Sequence, residues 1–299
     1  MIKKYYTKIK QAIIPDIFIS SGTAILLVIV SFLFGLTIWL LNRIPTLQHI
    51  WETFTFDKKI PASFCENIHM SNPVRQPVNT FSNIIYLITA IVILKNLREE
   101  KYKSNPRYLN TVYGFLFGVI LLYVFGASTF YHASLINVAH KLDYSAVFAF
   151  SLFPVMFFVH RWWLSRNSKI PAVIKNKSTA IFLSSFLVLN LLFSFVLPKG
   201  KESIAVLIII LLFLGLALAT MKTEPDNPGR HYLILSVISI LMALLWFEFD
   251  KNKIFCRPGS YFQPHSLWNL FVGLSAFYFY LFIQNQNESG ARVIKMNEE

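Results

Sequence analysis

The sequence predicts an all-α polytopic membrane protein with eight transmembrane helices. Of its 299 residues, 55% are hydrophobic and only 14% are charged, and the mean hydropathy is +0.52. These values exceed the apolar share of soluble proteins. Long apolar runs recur along the chain, each long enough to cross about 30 Å of hydrocarbon as a helix. The eight runs cover about residues 17–41, 78–94, 108–131, 142–159, 179–197, 203–221, 232–249 and 264–283.

The first apolar run and the long loop after it divide the chain into an N-terminal extension, a core and a C-terminal tail. The run at 17–41 is too long, and too far along the chain, for a cleaved signal peptide, so we expect a retained helix. Residues 1–77 then form an N-terminal extension, which consists of a basic tail, this helix and a loop of about 36 residues. Residues 78–284 are expected to form a seven-helix core that holds the functional site, and residues 285–299 a cytoplasmic tail. A loop of this length is expected to serve the function.

The distribution of Lys and Arg predicts that both termini are cytoplasmic. In that topology the cytoplasmic segments hold 18 of the 28 Lys and Arg residues, as the positive-inside rule favours. Topology and anionic lipid headgroups then account for the net charge of +13. Nucleic-acid binding is not expected, because the basic residues are spread among loops. The absence of a retention signal favours a bacterial inner membrane over the endoplasmic reticulum or Golgi. The oligomeric state stays open.

Ionisable groups at membrane depth mark a candidate site. The stretch GASTFYHASLINVAHKLDYSAVF places Ser128 and His132 four residues apart, on one helix face. Asp143 follows across a turn. Such groups are costly in a bilayer unless they are paired, so they are functional-site candidates. Two alternatives remain open, since Ser128 can serve helix packing and Asp143 can be a charge at a helix N-terminus. His140, in the same turn, is expected to be solvated and is a spare candidate.

A second candidate point lies at the start of the last run, where the motif HSLWN contains His265 and Asn269. In the predicted topology both points lie on the outer side, at similar depth. His132 and His265 could bind zinc from two helices. A three-ligand catalytic site could be completed by Asp143 or, less well, by the amide oxygen of Asn269. A carboxylate near such a site could act as a general base. Spacing alone leaves the third ligand open.

The two cysteines, Cys65 and Cys256, both fall in predicted outer loops. In an oxidising compartment such a pair is a disulfide candidate. The alternative is two unrelated small apolar residues. We favour a bridge that ties the long first outer loop to the loop before His265.

Five motifs, taken in order, resemble one known family. They are FCEN at 64–67, NTFSNIIY at 79–86, S-x-x-x-H at 128–132 with an Asp eleven residues later, W-x-x-x-D at 246–250 followed by Cys256, and H-S-L-W at 265–268. Together they resemble the alkaline ceramidase family. That family belongs to a superfamily of seven-helix membrane hydrolases that includes the adiponectin and progestin receptors. The resemblance covers roughly residues 63–284, and the helix at 17–41 has no counterpart in the basic pattern.

The resemblance implies a zinc-dependent amidase that cleaves ceramide or a related N-acyl lipid into a fatty acid and a sphingoid base. By resemblance, His132 and His265 would bind zinc and Asp143 would deprotonate the water that zinc activates. Ser128 would help to hold the developing oxyanion. The seven-helix core would provide a lateral, apolar cavity for the acyl chain, and the two cysteines would form the disulfide of the family.

Two departures from the family pattern bear on its metals. Asn269 stands where the third zinc-binding histidine is expected, so weaker zinc binding and lower activity are expected. In the segment that binds calcium in the family, Ser63 and Gln76 stand where carboxylates are expected. Only Glu66 and Asn67 then look like ligands. With so few charged oxygen donors, tight calcium binding is not expected.

Two other function classes compete with hydrolysis. Asn269 motivates the first, a catalytically impaired, lipid-binding or receptor-like membrane protein of the same fold. The second is a small-solute transporter. It is disfavoured because the chain lacks paired, Gly- or Pro-broken helices in two symmetric halves.

Overall fold

A computed structural model describes residues 21–57, 64–100, 108–166, 172–198 and 200–286. These residues are mostly helical, with no β-strand among them. The α-helices are α1 (Ser21–Leu41), α2 (Pro77–Ser82), α3 (Ile84–Glu100), α4 (Tyr108–Ser134), α5 (Asn137–Arg166), α6 (Ala172–Phe195), α7 (Glu202–Thr223), α8 (Arg230–Lys251) and α9 (Pro264–Gln284). The predicted basic tail at 1–16 and all but the first two residues of the predicted tail at 285–299 lie outside the described residues.

The fold class predicted from the sequence is confirmed. Eight helical spans in the described residues are long and apolar enough to cross a membrane. The helices α2 and α3 together form one of them, Pro77–Leu97, and each of the other helices forms one. The helix α5 begins at Asn137, five residues before the predicted apolar run. Hydropathy identifies only the apolar part of a helix, so the polar first turn of α5 was not included in the predicted run.

An aromatic cluster fills the centre of the bundle between α4, α5 and α9. The rings of Phe117 and Phe153 stack with centroids 4.8 Å apart. Phe157 meets Phe279 edge-to-face at 5.6 Å. All four side chains are nearly inaccessible to solvent. Close packing of this kind holds helices together in a bilayer, where lipid is as apolar as the side chains.

The first helix, α1, lies at the side of the bundle against α2 and α3. Only 6% of the most apolar stretch of this helix is buried inside the protein. Its contacts include the ring of Phe34, which lies 6.1 Å from Phe81 and 5.3 Å from Phe125. At Gly35 an added Cβ would come within 3.2 Å of the Phe81 ring, so the glycine allows this close approach.

The long loop before α2 closes one end of α4. The backbone N–H of Arg75 donates to the carbonyl of Ala133 over 2.9 Å, and that of Gln76 donates to the carbonyl of His132 over 3.1 Å. The guanidinium of Arg75 donates to the carbonyl of Ser134 over 2.7 Å. Carbonyl groups in the last turn of a helix lack partners within the helix, so the loop satisfies them. Both predicted site points lie at this end.

Candidate active site

His132 lies in the last turns of α4 and is 1% exposed. Its Nδ1 donates a hydrogen bond to Oε1 of Gln76 over 2.8 Å. Because an amide oxygen only accepts, Nδ1 carries the hydrogen and Nε2 keeps its lone pair. The ring lines a cavity, and Nε2 has no hydrogen-bond partner among the described residues. This lone pair is therefore available to a bound group.

His265 lies in the first turn of α9 and meets His132 across the bundle. The two ring centroids are 4.8 Å apart. Nδ1 of His265 faces Oδ2 of Asp250 at 3.4 Å. The ring of Phe64 packs against both imidazoles, at 5.1 Å from His132 and 4.6 Å from His265. The structure thus brings together the two points that the sequence separates.

Ser128 and Asp143 form a second pair at the same cavity. The hydroxyl of Ser128 lies beside the carboxylate of Asp143. The Oδ1 atom of that carboxylate is buried and has no partner among the described residues. Since α5 begins at Asn137, Asp143 lies beyond the first turn, to which the effect of the helix dipole is confined. An unpartnered carboxylate oxygen beside a cavity can accept a proton.

His140 does not face solvent, so that expectation was wrong. Its Nδ1 lies 3.1 Å from Oδ2 of Asp57, and its side chain is 16% exposed. The ring of Tyr144 covers it edge-on at 4.7 Å. The long loop carries Asp57 onto the start of α5 and shields the imidazole. His140 is absent from the cavity wall and anchors the loop.

Asn269 lies one turn after His265 on the same face of α9 and is 2% exposed. Its Oδ1 accepts a hydrogen bond from the hydroxyl of Tyr86 over 3.0 Å. Its Nδ2 donates to Oγ of Ser82 over 2.8 Å. The amide thus joins α9 to α2 and α3. Its oxygen keeps a second lone pair, so the role as a metal ligand stays a prediction.

Glu66 caps the start of α2. Its two carboxylate oxygens accept hydrogen bonds from the N–H of Val78 over 2.7 Å and of Asn79 over 2.8 Å. These N–H groups have no partner within the helix. Burial raises the pKa of Glu66 to about 7, against the lowering effect of the two hydrogen bonds. Of the positions considered for calcium, Ser63 lies outside the described residues, and both oxygens of Glu66 are engaged by the backbone.

The predicted disulfide between Cys65 and Cys256 is present, with Cα atoms 5.4 Å apart. It ties the long loop to the loop between α8 and α9. The backbone N–H of Cys65 donates to Oδ1 of Asp250 over 2.8 Å. The bridge therefore lies one residue from Phe64 and one hydrogen bond from the carboxylate that faces His265.

Ser128, His132, Asp143, His265 and Asn269 line a cavity of about 430 Å³. This volume is typical of ligand pockets, which measure about 300–1,000 Å³. The rest of the wall is mostly apolar and comes from α4, α5, α7, α8 and α9. It includes Val124, Phe150, Phe213, Leu244, Ala276 and Phe279. The helices α7 and α8 pack sparsely, and exposed side chains of α7, Ile204 and Leu207, border the cavity there. The cavity thus reaches the side of the bundle.

Two imidazoles at the cavity are donors of the type that zinc prefers. His132 and His265 both line the cavity, and each has an acceptor that faces Nδ1, which is how proteins orient metal-binding histidines. Across the described ranges no group of three or more His, Cys, Asp or Glu is placed to hold a metal ion. The amide oxygen of Asn269 stays a predicted third donor, and zinc binds an amide oxygen less well than an imidazole.

Sequence reasoning missed the residues that hold the histidines and Asn269. In the sequence, Gln76 stands out only as a departure from the calcium-binding segment of the family, and Asp250 only as part of a motif. Tyr86 is the last residue of another motif. Each motif indicated that its residue matters. Their partners are far away in sequence, so only the folded chain shows them.

Comparison with known proteins agrees with this architecture. The sequence model of the family described as Ceramidase matches residues 59–291, which is most of the chain and includes every residue of the candidate site. The helix α1 lies before the matched residues. No curated protein and no solved structure matches the chain. The match supports ceramide hydrolysis as the general function, and the chain belongs to the Ceramidase family.

Proposed function

We propose that this chain hydrolyses the amide bond of ceramide or a related N-acyl lipid and releases a fatty acid and a sphingoid-type amine. One observation carries the proposal. The polar cluster of Ser128, His132, Asp143 and His265 lies in a cavity whose wall is otherwise mostly apolar. With the acyl chain in the apolar part, the amide bond would lie beside the polar cluster.

Asp143 is the proposed general base. Its buried, unpartnered Oδ1 takes a proton from the attacking water. The hydroxyl oxygen adds to the carbonyl carbon, the C–N bond breaks, and the proton passes to the leaving nitrogen. Ser128 lies beside the carboxylate of Asp143. Its hydroxyl is proposed to donate its one hydrogen to the carbonyl oxygen as negative charge develops there.

His132 and His265, with Asn269 as a weaker third donor, are proposed to hold a zinc ion. When bound, zinc would polarise the amide carbonyl and lower the pKa of water. The chain itself presents the two Nε2 lone pairs to the cavity. Gln76 and Asp250 contribute to this arrangement because they face the opposite ring nitrogens.

The membrane topology is part of the proposal. The bias of Lys and Arg places both termini in the cytoplasm and the site near the outer leaflet. The meeting of the site residues at one end of the bundle supports a single depth for the site. A bacterial inner membrane stays the favoured location, and a bilayer lipid is the proposed substrate.

The test measures lipid hydrolysis by detergent-purified protein. Mass spectrometry follows fatty acid released from ceramide micelles by wild type, Asp143→Asn, His132→Ala and the control Asp226→Asn, which changes an exposed Asp in the α7–α8 turn. We expect release by wild type and the control, and a loss of about 100-fold or more in Asp143→Asn. Elemental analysis should find zinc in the wild type and less in His132→Ala. The proposal is overturned if the wild type releases no fatty acid from any N-acyl lipid.

A second function, lipid binding without turnover, is favoured by the hydrogen bonds of Asn269 to Tyr86 and Ser82. They hold the amide in a structural role at the position where the resemblance implies a histidine. Its expected signature is ceramide that binds at one site and is recovered intact. Release of fatty acid would exclude this function.

A further inference from the structure

Asp250 joins two parts of the molecule that are distant in sequence. One carboxylate oxygen, Oδ1, accepts the backbone N–H of Cys65 over 2.8 Å. The other, Oδ2, lies 3.4 Å from Nδ1 of His265. The residue lies at the end of α8 and is 2% exposed. A single buried carboxylate therefore contacts both the disulfide segment and a cavity imidazole.

The contact with His265 decides which ring nitrogen carries the hydrogen. Nδ1 of His265 is buried and makes no hydrogen bond among the described residues, and the carboxylate of Asp250, 3.4 Å away, is the acceptor that faces it. A carboxylate only accepts, so its position next to Nδ1 favours the tautomer that carries the hydrogen there and leaves the lone pair on Nε2. Gln76 produces the same state in His132. The two imidazoles thus present the same kind of nitrogen to the site.

The other contact of Asp250 depends on where Cys65 is held. The disulfide to Cys256 fixes this segment to the loop that follows α8. The ammonium of Lys253, in the same loop, donates to the carbonyl of Phe64. The ring of Phe64 in turn covers both imidazoles. The segment that supplies the N–H to Asp250 is therefore clamped next to the site.

We propose that Asp250 is a positioning residue for His265, and that it transmits the presence of the Cys65–Cys256 bridge to the site. With the bridge in place, the N–H of Cys65 orients the carboxylate toward Nδ1. Without the bridge, Cys65 can move away, and the carboxylate loses the partner that aims it. The catalytic consequence rests on the proposed function, whereas the effect on the imidazole does not.

A double-mutant cycle tests the proposal in the full-length protein. Its members are wild type, Asp250→Asn, Cys65→Ser/Cys256→Ser and the triple variant, with Asp226→Asn as the matched control. Asn can still accept from Cys65, but its amide hydrogens would face Nδ1 of His265 and favour the other tautomer. Nitrogen-15 NMR of labelled histidines reports the tautomer, and ceramide hydrolysis gives kcat and KM. His265→Gln identifies the His265 signals.

If the proposal is right, NMR finds the Nδ1–H tautomer of His265 in wild type and control, and the Nε2–H tautomer in Asp250→Asn. We expect kcat of Asp250→Asn to fall by about 10–100-fold with KM nearly unchanged. Removal of the bridge should lower kcat in wild type and mix the tautomers. It should have little further effect in Asp250→Asn, because coupled residues are non-additive.

The proposal is overturned if the His265 tautomer is the same in wild type and Asp250→Asn. It is also overturned if bridge loss lowers kcat equally in both backgrounds. If no lipid is hydrolysed but the tautomers change as expected, the positioning role stands and the proposed function fails. If the bridgeless variants do not fold, purified wild type and Asp250→Asn are treated with a dithiol. The dithiol is oxidised, and two electrons and two protons convert the bridge into two thiols.

Discussion

The hydroxyl of Tyr86 donates to Oδ1 of Asn269 over 3.0 Å, and this bond connects the first helical span of the seven-helix core to the last. The amide of Asn269 also donates to Ser82 in α2. At the position where the resemblance implies a metal-binding imidazole, the chain therefore has a hydrogen-bonded link between helices. The side chain that is the predicted third metal ligand is therefore also a link between helices.

Restoring an imidazole should strengthen metal binding. We expect Asn269→His to raise zinc affinity by about tenfold or more, because imidazole is a better zinc ligand than an amide oxygen. Competition with a coloured chelator measures the affinity. The control Asn285→His adds a histidine just after the opposite end of α9 and should leave it unchanged. No gain in Asn269→His would mean that the third ligand lies elsewhere, with Asp143 the first candidate.

Loss of the disulfide should destabilise the folded protein, whether or not the protein hydrolyses lipids. The bridge joins residues 191 positions apart, and closing a long loop restricts the unfolded chain. We expect Cys65→Ser/Cys256→Ser to lose about 2–4 kcal/mol of unfolding free energy. Thermal unfolding in detergent measures this as a lower melting temperature. An unchanged melting temperature would show that the bridge does not stabilise the fold.

Stability should depend on pH through Glu66. The pKa of this carboxyl is raised from 4.5 to about 7 because burial disfavours the charged form. Between these pH values the folded protein binds more protons at this group than the unfolded chain does. The contribution of Glu66 to stability is therefore greatest below about pH 4.5 and decreases as the pH rises to about 7.

The variant Glu66→Gln cannot ionise and isolates this effect. We expect the melting temperature of wild type, relative to Glu66→Gln, to fall as the pH is raised across that window. Glu52→Gln is the control, since Glu52 is an exposed carboxyl in the same loop. A constant difference between wild type and Glu66→Gln would contradict the prediction.

The apolar part of the cavity should set the accepted acyl length. Ala276 is 1% exposed and lines the cavity, so Ala276→Phe would fill part of it. We expect kcat/KM for a long-chain ceramide to fall by about tenfold or more relative to a short-chain one, because each lost methylene contact in such a pocket matters. Leu270→Phe, on the exposed side of α9, should keep the ratio. Equal losses for both substrates would show that the acyl chain binds elsewhere.

The fold followed from hydropathy because a bilayer imposes a length and a composition on every helix that crosses it. The disulfide followed from the placement of two cysteines in loops on one predicted side. His140 was misjudged because sequence position does not show that Asp57 lies over it. The partners of the site residues were equally hidden. The contact of Asp250 with Cys65 joins residues 185 positions apart, and no local pattern encodes such a pairing.

The disulfide also constrains when the site can form during synthesis. Cys256 and His265 follow the first seven candidate membrane spans that the structure describes, and they reach the membrane last. Until they are made, Phe64 can pack against only one of the two imidazoles, that of His132, and Cys65 has no cysteine with which to form the disulfide. A nascent chain that has not yet made α9 contains the other seven described spans but lacks His265, so the candidate site can be completed only after the last span is made.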